Sequence, residues 1–201
     1  MNFDMPPATQ ALLIANIGIY LLQLLTGGTL IFWFALWPIA DGSPFGPWQL
    51  ITYSFLHGGL AHIFFNMYAL FLFGGEIERL VGTRWFVSFY FVCVLTAALA
   101  QLIVANVTNS PPYPTIGASG GVFGILLAFG MYFPRRRLML IFPPIPMPAW
   151  LFVTLYGVLE LYLGVSGAAT GVAHFAHLGG MLGGFLMIQY RRRGMGRRPW
   201  R

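Results

Sequence analysis

Apolar residues in this chain gather into continuous runs separated by short polar or arginine-bearing segments. Six runs approach the roughly 20 residues needed to cross a bilayer as a helix. They fall at about 9–29, 50–74, 85–106, 115–133, 148–166 and 172–190 and predict six membrane helices. Between the first two, the 30–49 segment carries Trp33, Trp37 and Trp48 with Pro38, Pro44 and Pro47. That mixture predicts a loop folded into the membrane interface, where indole rings prefer to sit.

Composition agrees with the pattern. Of 201 residues, 58% are hydrophobic and 8% charged, against about a quarter charged in soluble domains. Met1-Asn2-Phe3-Asp4-Met5-Pro6-Pro7 lacks a basic leader region, so the first span is expected to stay as an anchor. The single cysteine, Cys93, lies in an apolar run, has no disulfide partner, and reads as a small buried hydrophobe.

All eleven positive residues are arginines. Arg79 and Arg84 fall between spans two and three, and Arg135, Arg136 and Arg137 between four and five; six more follow span six. The positive-inside rule puts these segments, and both termini, in the cytoplasm. The net charge of +6 thus needs no nucleic-acid partner; it serves topology, with anionic membrane lipid as a further contact. On this map residues 1–190 form a helical domain and 191–201 an arginine-rich cytoplasmic tail.

The map also brings chemistry to one depth. Spans two, four and six all enter from the outer side, carrying His57, His62 and Asn66, then Ser119, then His174 and His177. Polar side chains in a bilayer are costly unless partnered or lining a wet cavity, so each is a functional candidate. A serine in a glycine-rich membrane helix is, taken alone, more often a packing residue; convergence from three segments favours function. Ser119 needs a base to act as a nucleophile. His177 shares a helical face with Gly180 and Gly184, and Ser119 is followed by Gly120 and Gly124. Two small-xxx-small faces predict helix contact that brings the hydroxyl to the imidazole. His174 is turned away from that face and reads as structural or substrate-side. Of the acids, Glu160 alone falls within a predicted span, with no placement near His177, so the reading is a Ser119/His177 dyad oriented by packing against Phe123. His62 and Asn66, four residues apart, share a face and can donate to an oxyanion, with the Ser119 N–H as a further donor.

The ordered set Trp48-Gln49-Leu50-Ile51-Thr52-Tyr53, Phe55-Leu56-His57, His62-Ile63-Phe64-Phe65-Asn66, Glu78-Arg79-Leu80-Val81-Gly82-Thr83-Arg84-Trp85-Phe86, Gly117-Ala118-Ser119-Gly120 and Ala176-His177-Leu178-Gly179-Gly180 resembles the rhomboid family of intramembrane serine proteases. The resemblance implies an all-α membrane protein, a six-helix rhomboid bundle with a water-filled cavity open to the outside. It also implies cleavage of single-span membrane proteins near their outer boundary, with no cofactor and no metal. Carried over by residue, Ser119 is the nucleophile, His177 the general base, and His62 and Asn66 the oxyanion donors; Phe123, Gly117 and Gly180 read as supporting residues beside them. Gln49 stands where some members have Arg, and Phe123 where Tyr is common. The expected location is a bacterial inner membrane. The 166–172 segment, rich in Gly and Ala, reads as a mobile cap over the site.

Other readings fit less of the chain. His174-Phe175-Ala176-His177 lacks the glutamate of a zinc-protease His-Glu-x-x-His. A transporter would show paired broken helices in related halves. A catalytically silent rhomboid relative, acting as a membrane chaperone or retrotranslocation factor, is the alternative, and such relatives usually lack the Ser or His that this chain has. The natural substrate and the oligomeric state are left open by the sequence.

Overall fold

The computed structural model describes residues 5–108, 113–139, 144–167 and 173–195. It is a helical bundle: α1 (Pro7–Thr26), α2 (Thr29–Phe34), α3 (Gln49–Thr52), α4 (Leu60–Ala69), α5 (Gly75–Val81), α6 (Thr83–Val107), α7 (Ser119–Tyr132), α8 (Ala149–Ser166) and α9 (His174–Met195). Two short antiparallel strands, β1 (Arg137–Met139) and β2 (Pro146–Pro148), pair Arg137 with Pro148 and join α7 to α8. Among the described residues, four helical stretches, Pro7–Thr26, Leu60–Val81, Thr83–Val107 and Ala149–Ser166, are long and apolar enough to cross a membrane. Their outward faces are apolar, as at Leu25, 85% exposed, and Val165, 73% exposed. In water such a surface would drive association; in a bilayer it is the solvated face.

The second helix departs from its predicted limits. The apolar run begins near residue 50, but Gly58 and Gly59 interrupt it, and the helix starts at Leu60. Residues 49–55 instead form α3 and a short 3-10 turn. From Leu60 the helix continues through a π-helical turn, Leu70–Gly74, into α5. Glu76, Glu78 and Arg79 therefore sit inside the helix rather than in a loop, and Glu160 is not the one acid within a span. The connection to α6 is Gly82 alone, whose φ of +86° suits glycine. The expected cap at 166–172 lies mostly outside the described residues.

Buried polar groups tie the helices at their ends. Glu78 accepts four hydrogen bonds: Oε1 from the Ala8 N–H and the Thr83 hydroxyl, Oε2 from the Thr9 N–H and the Thr9 hydroxyl. The carboxylate thereby satisfies first-turn donors of α1 that have no intrahelical partner, where negative charge also complements the helix dipole. At the opposite end Gln23 bonds both ways to the His57 backbone, and Leu36 pairs with Thr115 through two backbone bonds of 2.9 Å. The Arg191 guanidinium donates to the Val81 carbonyl and lies over the Trp85 ring, and Arg136 pairs with Glu76. The arginines at the ends of α7 and α9 thus meet the α5–α6 turn at one end of the bundle, while Ser119, at the start of α7, belongs to the other.

The core runs between α6, α7 and α9, centred on Phe86, Phe89, Tyr90, Cys93, Ile125 and Ile188. Two pairs of glycines let α9 lie against both neighbours at once. A Cβ on Gly180 would overlap the Gly120 carbonyl oxygen, and one on Gly184 would stand 3.2 Å from the Gly124 Cα. On the adjoining face, a Cβ on Gly179 would lie 2.7 Å from the Thr96 carbonyl oxygen, and one on Gly183 would overlap the Thr96 hydroxyl. Backbone-to-backbone packing of this kind replaces the hydrophobic drive that lipid does not supply.

Candidate active site

Ser119 opens α7, a helix of 14 residues. At 1.5 Å per residue it is about 21 Å long, shorter than the roughly 30 Å hydrocarbon core. Before it the chain is extended, and Gly117 holds a φ of +128° and donates its N–H to the Tyr53 carbonyl at 3.0 Å. The Tyr53 hydroxyl in turn donates to the Val94 carbonyl on α6, so the approach to the serine is anchored to the core. As the first residues of the helix, Ser119, Gly120 and Gly121 have N–H groups with no acceptor one turn earlier.

The α7–α9 glycine seam puts the His177 Nε2 2.8 Å from the Ser119 Oγ. Phe123 stacks on the His177 imidazole with ring centres 4.2 Å apart and planes within 6°. His177 Nδ1 lies 2.9 Å from Glu160 Oε2, and His174 Nδ1 lies 2.6 Å from the same oxygen. Glu160, His174 and His177 are all buried. Sequence reading left Glu160 unplaced and took His174 as structural or substrate-side; the structure joins both to the far side of His177. A signal was present: Gly157 and Gly164, at −3 and +4 from Glu160, mark its face of α8 as one for close helix contact. Met181 lies beside Gly157, and His174 and Phe175 beside Gly164.

Glu160, His174 and His177 offer three ligand atoms within 4.8 Å of one another. The two imidazole-to-carboxylate distances are shorter than the about 3.3 Å ligand-to-ligand edge implied by tetrahedral zinc with bonds near 2.0–2.1 Å. They are hydrogen-bond lengths.

His62 and Asn66 stand on α4 across from Ser119. The Gly58 N–H donates to His62 Nδ1 at 3.3 Å, which leaves Nε2 as the protonated nitrogen. The position a Gly117 side chain would occupy lies 2.8 Å from His62 Nε2 and 3.6 Å from Ser119 Oγ. Glycine thus keeps open a small space that nucleophile and donor both border. Asn66 gives one amide hydrogen to the His62 carbonyl at 2.9 Å and retains a second. His57, fully buried, meets the His62 ring edge-on at 5.1 Å; among the described residues neither of its ring nitrogens has a hydrogen-bond partner.

Ser119, His177, His62 and Asn66 all line one cavity of about 1160 Å³. It extends as a cleft between Phe65, Tyr68 and Leu72 on one side and Phe152 and Tyr156 of α8 on the other, down to Glu76 and Arg136. A hydroxyl bonded to an imidazole, beside unpaired backbone donors, is the arrangement that acyl transfer requires.

A Rhomboid domain family model matches residues 44–194. Rhomboid protease GluP of Bacillus subtilis strain 168 is 30% identical over 138 residues, covering 69% of this chain and 25% of the relative. Rhomboid protein 1, mitochondrial, of Saccharomyces cerevisiae is 29% identical over 150 residues, 71% of this chain and 41% of the relative. Rhomboid protease GlpG of Yersinia pestis strain Pestoides F is 26% identical over 184 residues, 90% of this chain and 61% of the relative. The alignments thus take in between a quarter and about three fifths of these relatives' lengths.

Proposed function

The chain belongs to the rhomboid family, and from that premise we propose that this integral membrane protein is an intramembrane serine endopeptidase working through Ser119 and His177. The observation that carries the reading is the 2.8 Å contact between Ser119 Oγ and His177 Nε2 on the wall of a cavity inside a membrane bundle. The chemistry follows general acyl transfer. Ser119 attacks the scissile carbonyl while His177 takes its proton, then returns it to the leaving amine; water next hydrolyses the acyl-enzyme. His62 Nε2–H, the remaining Asn66 N–H and the Ser119 backbone N–H stabilise the oxyanion. The open space beside Gly117 supports a carbonyl oxygen seated among them.

The substrates are single-span membrane proteins, entering sideways through the cleft between the second helix and α8. A helical segment hides its carbonyls in its own hydrogen bonds, so it must unwind at the cut, which favours substrates with Gly, Pro or small residues there. The collection of arginines at the bundle end remote from Ser119 supports cytoplasmic termini and cleavage near the outer boundary, in a bacterial inner membrane.

The test is cleavage of a single-span reporter by purified protein in proteoliposomes, comparing wild type with Ser119→Ala and His177→Ala. Cutting by wild type alone is the expected result. Equal behaviour of all three proteins overturns the dyad and turns attention to a non-catalytic role.

A further inference from the structure

In the reaction as set out above Glu160 takes no part, yet its carboxylate meets the catalytic imidazole on the side away from the serine. We propose that Glu160 is a positioning residue that makes the Ser119/His177 pair a carboxylate-oriented triad, with His174 holding the carboxylate in place. The proposal rests on the assignment of Ser119 and His177 as the reacting pair.

Hydrogen-bond chemistry dictates the protonation pattern. Two imidazole Nδ1 atoms, at 2.6 and 2.9 Å, address one oxygen, Glu160 Oε2. A single oxygen serves two N–H donors when the carboxyl is ionised and purely an acceptor. Both rings then carry their proton on Nδ1, and His177 presents a bare Nε2 lone pair to the Ser119 hydroxyl. A protonated Glu160 aimed at His177 would instead put the imidazole proton on Nε2, and the ring could not accept from serine. Burial of the three side chains makes the mutual bonding stringent, because a carboxylate in a membrane helix is costly without partners.

Phe123 cannot supply the same control. Stacking at 4.2 Å and 6° fixes the plane of the imidazole, but a half-turn about its terminal torsion preserves the stack and exchanges nitrogens for carbons. His has a roughly two-fold preference at that torsion. The Glu160 bond distinguishes the two orientations, since one of them alone sets a nitrogen against each of Oε2 and Ser119 Oγ.

The same contact acts during the reaction. As the bond from Ser119 Oγ to the carbonyl carbon forms, the hydroxyl proton passes to His177 Nε2; it leaves on the amine nitrogen as the C–N bond breaks. Between those events the imidazolium is positive and has a carboxylate at 2.9 Å, and Glu160 itself gains and loses no proton.

The test uses the full chain in detergent, with Glu160→Gln, Glu160→Ala and Glu160→Asp beside Ser119→Ala and His177→Ala. Rates are read by fluorophosphonate labelling, in which the Oγ–P bond forms and fluoride leaves, and by kcat and KM on a single-span reporter. With four histidines in the chain, nitrogen-15 NMR of the labelled residues reports the tautomers. In a Ser-His-Asp triad, replacing the orienting carboxylate lowers kcat by about 10⁴-fold. Because Phe123 retains the ring plane here, Glu160→Gln and Glu160→Ala are expected to lower kcat and labelling about 100-fold, with KM within about threefold. Glu160→Asp recovers about tenfold over Ala. Wild-type His177 is expected to carry its proton on Nδ1, and Glu160→Ala to show both tautomers. Full-rate labelling of folded Glu160→Gln and Glu160→Ala overturns the proposal. So does a wild-type His177 protonated on Nε2, which is decisive even where a variant fails to fold. Undiminished labelling of Ser119→Ala would instead overturn the Ser119/His177 assignment, so the two failures are distinguishable.

Discussion

Gly180→Ala tests whether the glycine seam sets the distance between the Ser119 hydroxyl and the His177 imidazole, and with it the activity proposed for that pair. The added Cβ would overlap the Gly120 carbonyl oxygen and stand 2.7 Å from the Gly120 carbonyl carbon and 3.0 Å from its Cα. Carbon atoms pack best about 3.5–4.0 Å apart, so α9 must withdraw from α7 by about 1 Å. His177 lies less than one turn from Gly180 and moves with it. The 2.8 Å contact to Ser119 then lengthens to about 3.8 Å, past hydrogen-bond range. Misplacement of about 1 Å at a reacting centre costs about 100-fold in rate, or about 2.7 kcal/mol of barrier. Overpacking adds a stability loss of about 1–3 kcal/mol. The assay is reporter cleavage in proteoliposomes, with alkylation of the fully buried Cys93 as a measure of unfolding. Gly183→Ala is the control, because the three atoms nearest its Cβ all belong to the Thr96 side chain, and Thr96→Gly, which removes all of them, should restore its activity. No side-chain change can shorten the Gly120 backbone. Full cleavage by Gly180→Ala with unchanged Cys93 protection would refute the reasoning.

Three further outcomes follow from the geometry. Phe123→Ala removes the stack on His177 and should lower kcat by about 2- to 10-fold, the range of an aromatic pair worth 0.5–1.5 kcal/mol, whereas Phe123→Tyr keeps the plane and should stay within about twofold in the same cleavage assay. Gly117→Ala sets a methyl 2.8 Å from His62 Cε1 and Nε2 and should cost about 100-fold in kcat, on the scale of a lost oxyanion donor. Gly27→Ala, with positive φ but open space around it, should leave cleavage intact, and equal losses in both would point to backbone strain. Glu78→Gln turns an amide group toward donors already aimed at a carboxylate; two stranded donors at about 1–3 kcal/mol each predict a loss of about 2–6 kcal/mol, read as faster Cys93 alkylation on heating.

The meeting of Ser119 with His177 was legible in the sequence because glycine spacing is itself a contact rule. Gly120/Gly124 and Gly180/Gly184 name both the partner helices and the faces that touch. Glu160 was not legible in the same way. Gly157 and Gly164 mark its face of α8 for close helix contact, but one glycine pair names neither the helix nor the residue that meets it, so His177 could not be assigned as the partner. The start of the second helix was misplaced because hydropathy is continuous across residues 50–57, while the break comes from the backbone at Gly58 and Gly59. The π-helical turn at Leu70–Gly74 left no sequence signature that hydrophobic patterning can read.

Glu78 imposes an order in time. The donors it satisfies at Ala8 and Thr9 lie 70 and 69 residues earlier. During synthesis at about 5–20 residues per second, α1 emerges about 4–14 s before its acceptor exists. Through that interval its first-turn N–H groups have water as their available partner, so the start of α1 stays at the aqueous surface. Its N-terminus docks only after the α5–α6 turn has been made, so α1, although synthesised before α5, settles no earlier than α5 does.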